Sequence, residues 1–196
     1  GEELLLTYGP LSSAELLAVY GFVPNGGNVF EGTDLVLDLS AELHQSGAPV
    51  GVRDAQGAVL REHLGWNGTN RITLQLRDGV QGDGHVGGLL LPLARLLSLE
   101  SEDDIVGLSP RIFWMNYSGG RPANLGLQLE VRARQRMQRW MSKAMASSDE
   151  AALRLRTASG AAVSWPSHIR GLVMQLLANE RKVLELERDA AEDFCQ

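Results

Sequence analysis

The sequence predicts a mainly α-helical protein with a short β-containing segment at its N terminus. Residues 123–146 and 166–193 place apolar side chains at the three- and four-residue spacing of helices that pack along one face. Residues 89–99 predict a third, strongly apolar helix, with Pro92 in its first turn. The clearest strand signal is residues 4–8, an apolar run that ends in an aromatic residue before a glycine.

The N-terminal segment continues with the pattern of a capped helix. Ser12 and Glu15 have the spacing of a capping box, in which each side chain bonds to the other residue's backbone, so a helix should begin there. Gly21 should end the helix, because glycine tolerates the left-handed conformation of a C-cap. Residues 22–24, which end in a proline, should continue as extended chain. The apolar face of the predicted helix is Leu16, Leu17, Val19 and Tyr20.

The middle of the chain carries shorter patterns. The Asn- and Gly-rich residues 25–28 predict a turn and a domain boundary. Residues 34–39 alternate apolar and acidic side chains, which indicates a short strand or the lead-in to a helix. Residues 51–65 have helical spacing around Gly57, and residues 72–76 alternate like a half-buried strand.

Residues 82–88 spell G-x-G-x-x-G, a motif associated with dinucleotide binding. We interpret them as a surface loop, because the acidic residues that follow do not end a second strand of a βαβ unit. Ser101 and Asp104 predict the start of another short helix. The aromatic residues within 111–117 predict packing into the core, with a binding surface as the alternative.

The long helix predicted from residue 123 carries a basic face. Its four cations follow the i, i+4, i+7, i+11 spacing of one helix face: Arg132, Arg136, Arg139 and Lys143. The face is either solvated or a dock for an acidic partner, protein or RNA. Ser147 and Glu150 repeat the capping-box spacing and predict a separate helix that ends near residue 156.

Composition narrows the classes of function. A net charge of -6 over 196 residues excludes general nucleic-acid binding by bulk charge, except through the basic face. The lone Cys195 indicates a reducing compartment, and the scattered histidines predict no metal site. No apolar run is long enough to span a bilayer, so we expect no membrane-spanning segment.

The first 22 residues contain, in order, Gly-Glu-Glu, a strand, Tyr8-Gly9, a Ser-Ser-Ala-Glu-Leu-Leu helix and Tyr20-Gly21-Phe22. This order closely resembles the end of a SET domain in the Rubisco large-subunit methyltransferase branch of protein lysine methyltransferases. The chain departs from that pattern at Ser13, where the family usually has asparagine, which also caps helices. Later segments, REHLGW, RITLQLRDG and LLLPLARLLSL, resemble the helical substrate-binding domain that follows SET.

The resemblance implies the architecture and the site. Residues 1–27 would be the C-terminal end of a SET domain, and residues 28–196 a helical substrate-binding domain. Tyr8 would be the active-site tyrosine beside the target lysine. Tyr20 and Phe22 would complete the lysine channel and close over the cofactor, S-adenosyl-L-methionine. An aromatic channel disfavours the charged ammonium and thereby favours the neutral amine that attacks the methyl group.

Two segments of the family's catalytic domain, one with Asn-His and one with Gly-x-Gly that holds the cofactor, have no counterpart upstream of Tyr8, and Asn-His occurs nowhere in the sequence. We therefore expect a C-terminal fragment that is inactive alone and methylates protein lysines only when joined to those segments. The alternative is a non-catalytic SET-like scaffold or protein-binding subunit of a larger, plastid assembly. We expect a chloroplast location, with the cytoplasm or nucleus as alternatives.

Overall fold

The computed structural model describes residues 8–25, 27–69, 71–77, 89–101, 104, 126–157 and 165–193. These residues form six helices and two strands, which confirms the mainly helical fold. In chain order they are α1 Ser13–Tyr20, β1 Gly32–Asp38, α2 Leu39–Gln45, α3 Val50–Leu64, β2 Arg71–Arg77, α4 Leu90–Leu97, α5 Leu127–Thr157 and α6 Ser167–Asp193.

Helix α1 begins at the predicted capping box. The Ser12 amide donates to Glu15 Oε2 over 2.7 Å, and the Glu15 amide donates to Ser12 Oγ over 3.3 Å. Gly21 ends the helix with φ 77°, and its amide donates to the Leu17 carbonyl. The strand predicted over residues 4–8 lies outside the described residues except for Tyr8.

The two strands form an antiparallel two-stranded sheet, connected through α2 and α3, in the part predicted to follow the domain boundary. Gly32 pairs with Arg77 and Asp38 with Arg71. The pattern left open at residues 34–39 is therefore a strand, and α2 follows it directly because the Asp38 carboxylate accepts the Ala41 amide. The buried face of this sheet carries Leu35, Leu37, Leu74 and Leu76.

The long helix α5 corrects one prediction. The capping box at Ser147 and Glu150 does not open a new helix, because α5 continues without a break to Thr157. Neither glycine nor proline interrupts this stretch, and Glu150 accepts a bond from Arg154 one turn later instead of capping Ser147. The capping spacing is thus compatible with a helix interior.

Helices α4, α5 and α6 and the two-stranded sheet share one apolar core. All residues of α4 are buried, including Arg95, whose guanidinium bonds to Glu130 Oε1 of α5 over 2.5 Å. The last helix runs from Ser167 to Asp193 behind Pro166, as predicted, and buries Val183 and Leu184 against α5.

Two predictions concern segments outside the described residues: the loop at 82–88 and the aromatic stretch 111–117. At the predicted short helix only Ser101 and Asp104 are described, and they exchange capping bonds of 3.3 and 3.2 Å. Among the described ranges, the helices are too short or too polar to cross a membrane.

Candidate functional site

The three aromatic residues that the resemblance assigns to the site lie together. The ring centroids of Tyr8 and Tyr20 are 4.8 Å apart, and those of Tyr8 and Phe22 are 5.4 Å apart in an edge-on arrangement. Tyr8 is 50% exposed and Tyr20 is 51% exposed. We call these three residues the aromatic cluster. Its rings contact one another at distances typical of aromatic pairs, but half of each tyrosine faces outward.

Local backbone geometry explains how residues from two sides of α1 meet. Gly9 follows Tyr8 with φ 86°, and Gly21 follows Tyr20 with φ 77°, a region that residues with a Cβ rarely adopt. Each glycine turns the chain beside an aromatic residue. As a result the segment before α1 and the segment after it come back to the same place.

A buried polar network holds α1 against the last helix. Glu31, which is 5% exposed, accepts hydrogen bonds from the Ser13 amide at 3.2 Å and from the Ser13 hydroxyl. The same carboxylate accepts a bond from Asn179 of α6 at 3.0 Å. The two buried residues, Ser13 and Glu31, thereby have hydrogen-bond partners, as buried polar groups require.

Two further bonds tie the chain on either side of α1. Asn28 donates its side-chain amide to the Leu11 carbonyl at 2.8 Å, and Gln175 of α6 donates to the Pro24 carbonyl at 2.8 Å. Five side chains form the network and these two further bonds, and we call them the clamp: Ser13, Asn28, Glu31, Gln175 and Asn179. Sequence reasoning missed the clamp, although Gln175 and Asn179 are four residues apart on the apolar face of a helix, which is an available signal.

A cavity of 160 Å³ lies beside the clamp, between α1, the two-stranded sheet and α6. Among the side chains that the structure describes, its charged lining residues are the carboxylates of Glu15, Asp34 and Glu180. Burial raises the pKa of Glu180, and the negative charges of Glu31 and Asp34 raise it further. The cavity therefore has a strongly negative environment. We call it the acidic cavity.

The predicted basic face is divided in the structure. Arg136 is 8% exposed and donates to Glu42 over 3.1 Å and to the Ser98 hydroxyl over 3.2 Å. Burial lowers its pKa, and Arg139 adds to this effect, whereas Glu42 opposes it. Arg132 donates to the Ser98 carbonyl and contacts Glu100, each over 3.3 Å.

Arg139 and Lys143, the other two cations of that face, are exposed. Partner binding by all four cations stays a prediction, and only this exposed pair offers free access to a large partner. No group of three or more metal-ligating side chains occurs within the described parts of the chain.

The aromatic cluster suits one wall of a site for S-adenosyl-L-methionine and lysine. Electron-rich ring faces attract a cation such as a sulfonium. Rings that exclude water from a lysine side chain disfavour its charged ammonium form. The described residues fit the group in this respect: the rings are adjacent, and the two tyrosines are half exposed.

No protein-family model and no curated protein matches the sequence. Solved structures do resemble the chain. It aligns over 98% of its length, with a TM-score of 0.61 and 16% identity, with the SET domain of Rubisco LSMT bound to lysine and AdoHcy. It aligns over 94% of its length, with a TM-score of 0.60 and 16% identity, with the same domain bound to methyllysine and AdoHcy.

The chain spans about two fifths of those structures, 41% and 38% of their respective chains. The likeness confirms, at the level of the fold, the resemblance found in the sequence. In the matched proteins the bound molecules are AdoHcy and either lysine or methyllysine.

Proposed function

We propose that this chain is the C-terminal part of a SET-domain protein-lysine N-methyltransferase. In this proposal residues 1–27 end the catalytic domain and residues 28–196 bind the protein client. Segments with Asn-His and Gly-x-Gly complete the site, and the chain is inactive without them. The observation that carries the proposal is the aromatic cluster, because its two tyrosines leave half of their surface open.

Tyr8 is the proposed catalytic residue. The usual pKa of lysine is about 10.4, so most of the amine carries a proton at neutral pH. Water-excluding rings disfavour the charged form, and the proton leaves to solvent before the amine attacks. The Tyr8 hydroxyl oxygen can then accept a hydrogen bond from an amine N–H, which leaves the nitrogen lone pair free and fixes its direction. S-adenosyl-L-methionine supplies the electrophilic methyl group when it is bound.

Tyr20 and Phe22 are proposed to line the cofactor side of the channel. The ring centroid of Tyr8 lies 4.8 Å from that of Tyr20 and 5.4 Å from that of Phe22. Their positions depend on the clamp, because Ser13 belongs to the helix that ends at Tyr20, and Pro24, whose carbonyl accepts a bond from Gln175, follows Phe22 by two residues. The clamp residues therefore act as positioning residues for the cluster and do not themselves take part in the chemistry.

The test uses the full-length protein that contains this chain, S-adenosyl-L-methionine and lysine-containing client protein. We expect Tyr8→Phe to lower kcat by roughly 10²-fold, the typical effect of losing one polar group aimed at the reacting atoms. Tyr117→Phe makes the same chemical change at the remaining tyrosine, to which no catalytic role is assigned, and should keep the full rate. Methylated lysine is measured by mass spectrometry. Equal rates in wild type and Tyr8→Phe would remove the catalytic role.

A protein-binding scaffold is the second candidate, supported by the exposed Arg139 and Lys143 on one helix face. Charge reversal at Arg139 should then reduce recovery of an acidic partner in pull-down. Reversal at Lys182, which is exposed on α6, is the matched control. Undiminished recovery with Arg139→Glu would argue against that surface.

A further inference from the structure

A second cavity, a groove of 450 Å³, lies between β1 and α5, away from the aromatic cluster. One wall is formed by residues 34–38 of β1, all five in succession, and the other includes Trp140, Lys143 and Ser147 of α5. Successive side chains of a strand point to opposite faces of the sheet. A groove lined by five successive residues of β1 therefore runs along the edge of the strand and not over one face.

The edge of β1 that borders the groove has no strand beside it within the described ranges. The sheet there consists of β1 and β2 alone, and β1 pairs with β2 along its other edge. An outer strand edge presents alternate backbone N–H and C=O groups that another extended chain can pair with. Val36, in the middle of β1, is 53% exposed. This edge has the geometry used for binding by strand addition.

The charges at the two ends of the groove differ. Within the groove both signs occur, with Arg71 and Lys143 as well as Asp38 and Glu42. At Asp34 the groove meets the acidic cavity, because Asp34 lines both. The described charged residues that line the acidic cavity are the carboxylates of Glu15, Asp34 and Glu180. A positively charged side chain is thus the complement of the Asp34 end.

We propose that β1 and the adjoining groove bind an extended peptide segment of a protein partner as an added strand, with a lysine or arginine side chain placed at Asp34. Backbone pairing supplies affinity along the edge, and the carboxylates at its end select a basic residue. The negative net charge of -6 is consistent with a basic ligand. This inference goes beyond the proposed methyl transfer, and peptide binding can be measured whether or not methylation occurs.

The probe is an acetylated and amidated seven-residue peptide of alternating valine and threonine with lysine at both ends. A companion peptide has glutamate at both ends. Two further versions carry backbone N-methyl groups on one or the other set of alternate residues. An added strand uses only one set of its amides toward β1, so one methylated version should bind and the other should not. Binding to the full 196-residue chain is followed by fluorescence anisotropy.

Two pairs of variants locate the site. Asp34→Lys reverses an exposed charge at the groove end, and Asp54→Lys makes the same change at an exposed position of α3. Ser147→Trp fills the groove, and Ser142→Trp adds the same bulk at an exposed position of α5 outside its lining. We expect a loss of about tenfold or more in affinity for the first member of each pair, and less than about twofold for the second.

Four results of the binding experiments would overturn the inference. They are the absence of saturable binding, equal binding of the lysine and glutamate peptides, equal binding of the two N-methylated peptides, and unchanged affinity in Asp34→Lys. Asp34 is exposed, so that variant remains informative even if Ser147→Trp fails to fold. Self-association of the chain that Ser147→Trp abolishes, without peptide binding, would assign the edge to a second copy and also overturn it.

Discussion

The aromatic cluster and the helical core differ in the exposure of their large apolar and aromatic side chains. In the core, the leucines of α4 are between 0% and 4% exposed, and Met137 and Met141 of α5 are fully buried. In the N-terminal segment, Tyr8 and Tyr20 are each about half exposed although they contact one another. The core is closed by apolar packing, whereas the aromatic cluster is open.

The two regions are also stabilised differently. The core depends on the burial of apolar surface, which contributes about 25 cal/mol for each Å² removed from water. The N-terminal segment buries Leu16 and Val23 and is also attached through the clamp, in which side chains and the Ser13 amide donate to one carboxylate and to backbone carbonyls. A segment held in this way keeps its aromatic faces available. That difference is what a binding wall on a rigid support requires.

The largest effect is expected from the buried ion pair of the core. Arg95→Ala leaves the Glu130 carboxylate, which is 1% exposed, without its guanidinium partner. We predict a loss of about 3–5 kcal/mol in the free energy of unfolding, measured by urea titration. Arg154→Ala, at the exposed pair with Glu150, should change it by less than about 1 kcal/mol. Similar losses for both variants would contradict the distinction between core and surface.

A smaller, local effect is expected from the clamp. Glu31→Ala removes the acceptor used by Ser13 and Asn179 and should cost about 2 kcal/mol. Hydrogen exchange should accelerate over residues 11–24, while amides of α5 keep their protection. Glu62→Ala, at an exposed position of α3, is the control. Uniform acceleration across both regions would show that the segment is not attached separately.

The smallest effect concerns Glu180 and depends on pH. Its pKa is raised by burial and by Glu31 and Asp34, so the folded state binds this proton more tightly than the unfolded state. Stability therefore falls as pH rises from about 4.3 through the raised pKa, and the penalty persists at neutral pH.

Glu180→Gln should accordingly raise the free energy of unfolding at pH 7 by about 1 kcal/mol or less, and the gain should vanish below about pH 4. Thermal unfolding across this pH range checks both the sign and the window. Glu192→Gln, exposed on the same helix, should show neither. A variant less stable than wild type at pH 7 would contradict the assigned direction.

The sequence predicts local structure well where the signal is local. The capping box at Ser12, the left-handed Gly21 and the proline before α6 each determine a helix end through nearby backbone bonds. The capping box at Ser147 failed because the same spacing also fits a helix interior, where Glu150 pairs with Arg154 instead. Only the neighbouring turns distinguish the two cases.

Contacts between distant residues were not predictable from the sequence. Glu31 and Asn179 are 148 positions apart, and Arg136 and Glu42 are 94 apart. Helical spacing placed Arg136 on a common basic face, but it could not show that α2 would bring a carboxylate to that face and bury the pair. Residue type and order, by contrast, were enough to bring Tyr8, Tyr20 and Phe22 together as candidates.

In the full-length protein, we expect the open side of the aromatic cluster to face the reacting molecules. Hydroxyl-radical footprinting measures this directly, with and without S-adenosylhomocysteine and a lysine peptide. We predict that oxidation of Tyr8 falls severalfold on addition of the ligands. Oxidation of Trp165, which is 41% exposed and is not assigned to the site, should stay constant. Unchanged oxidation of Tyr8 in the presence of bound ligands would contradict the account.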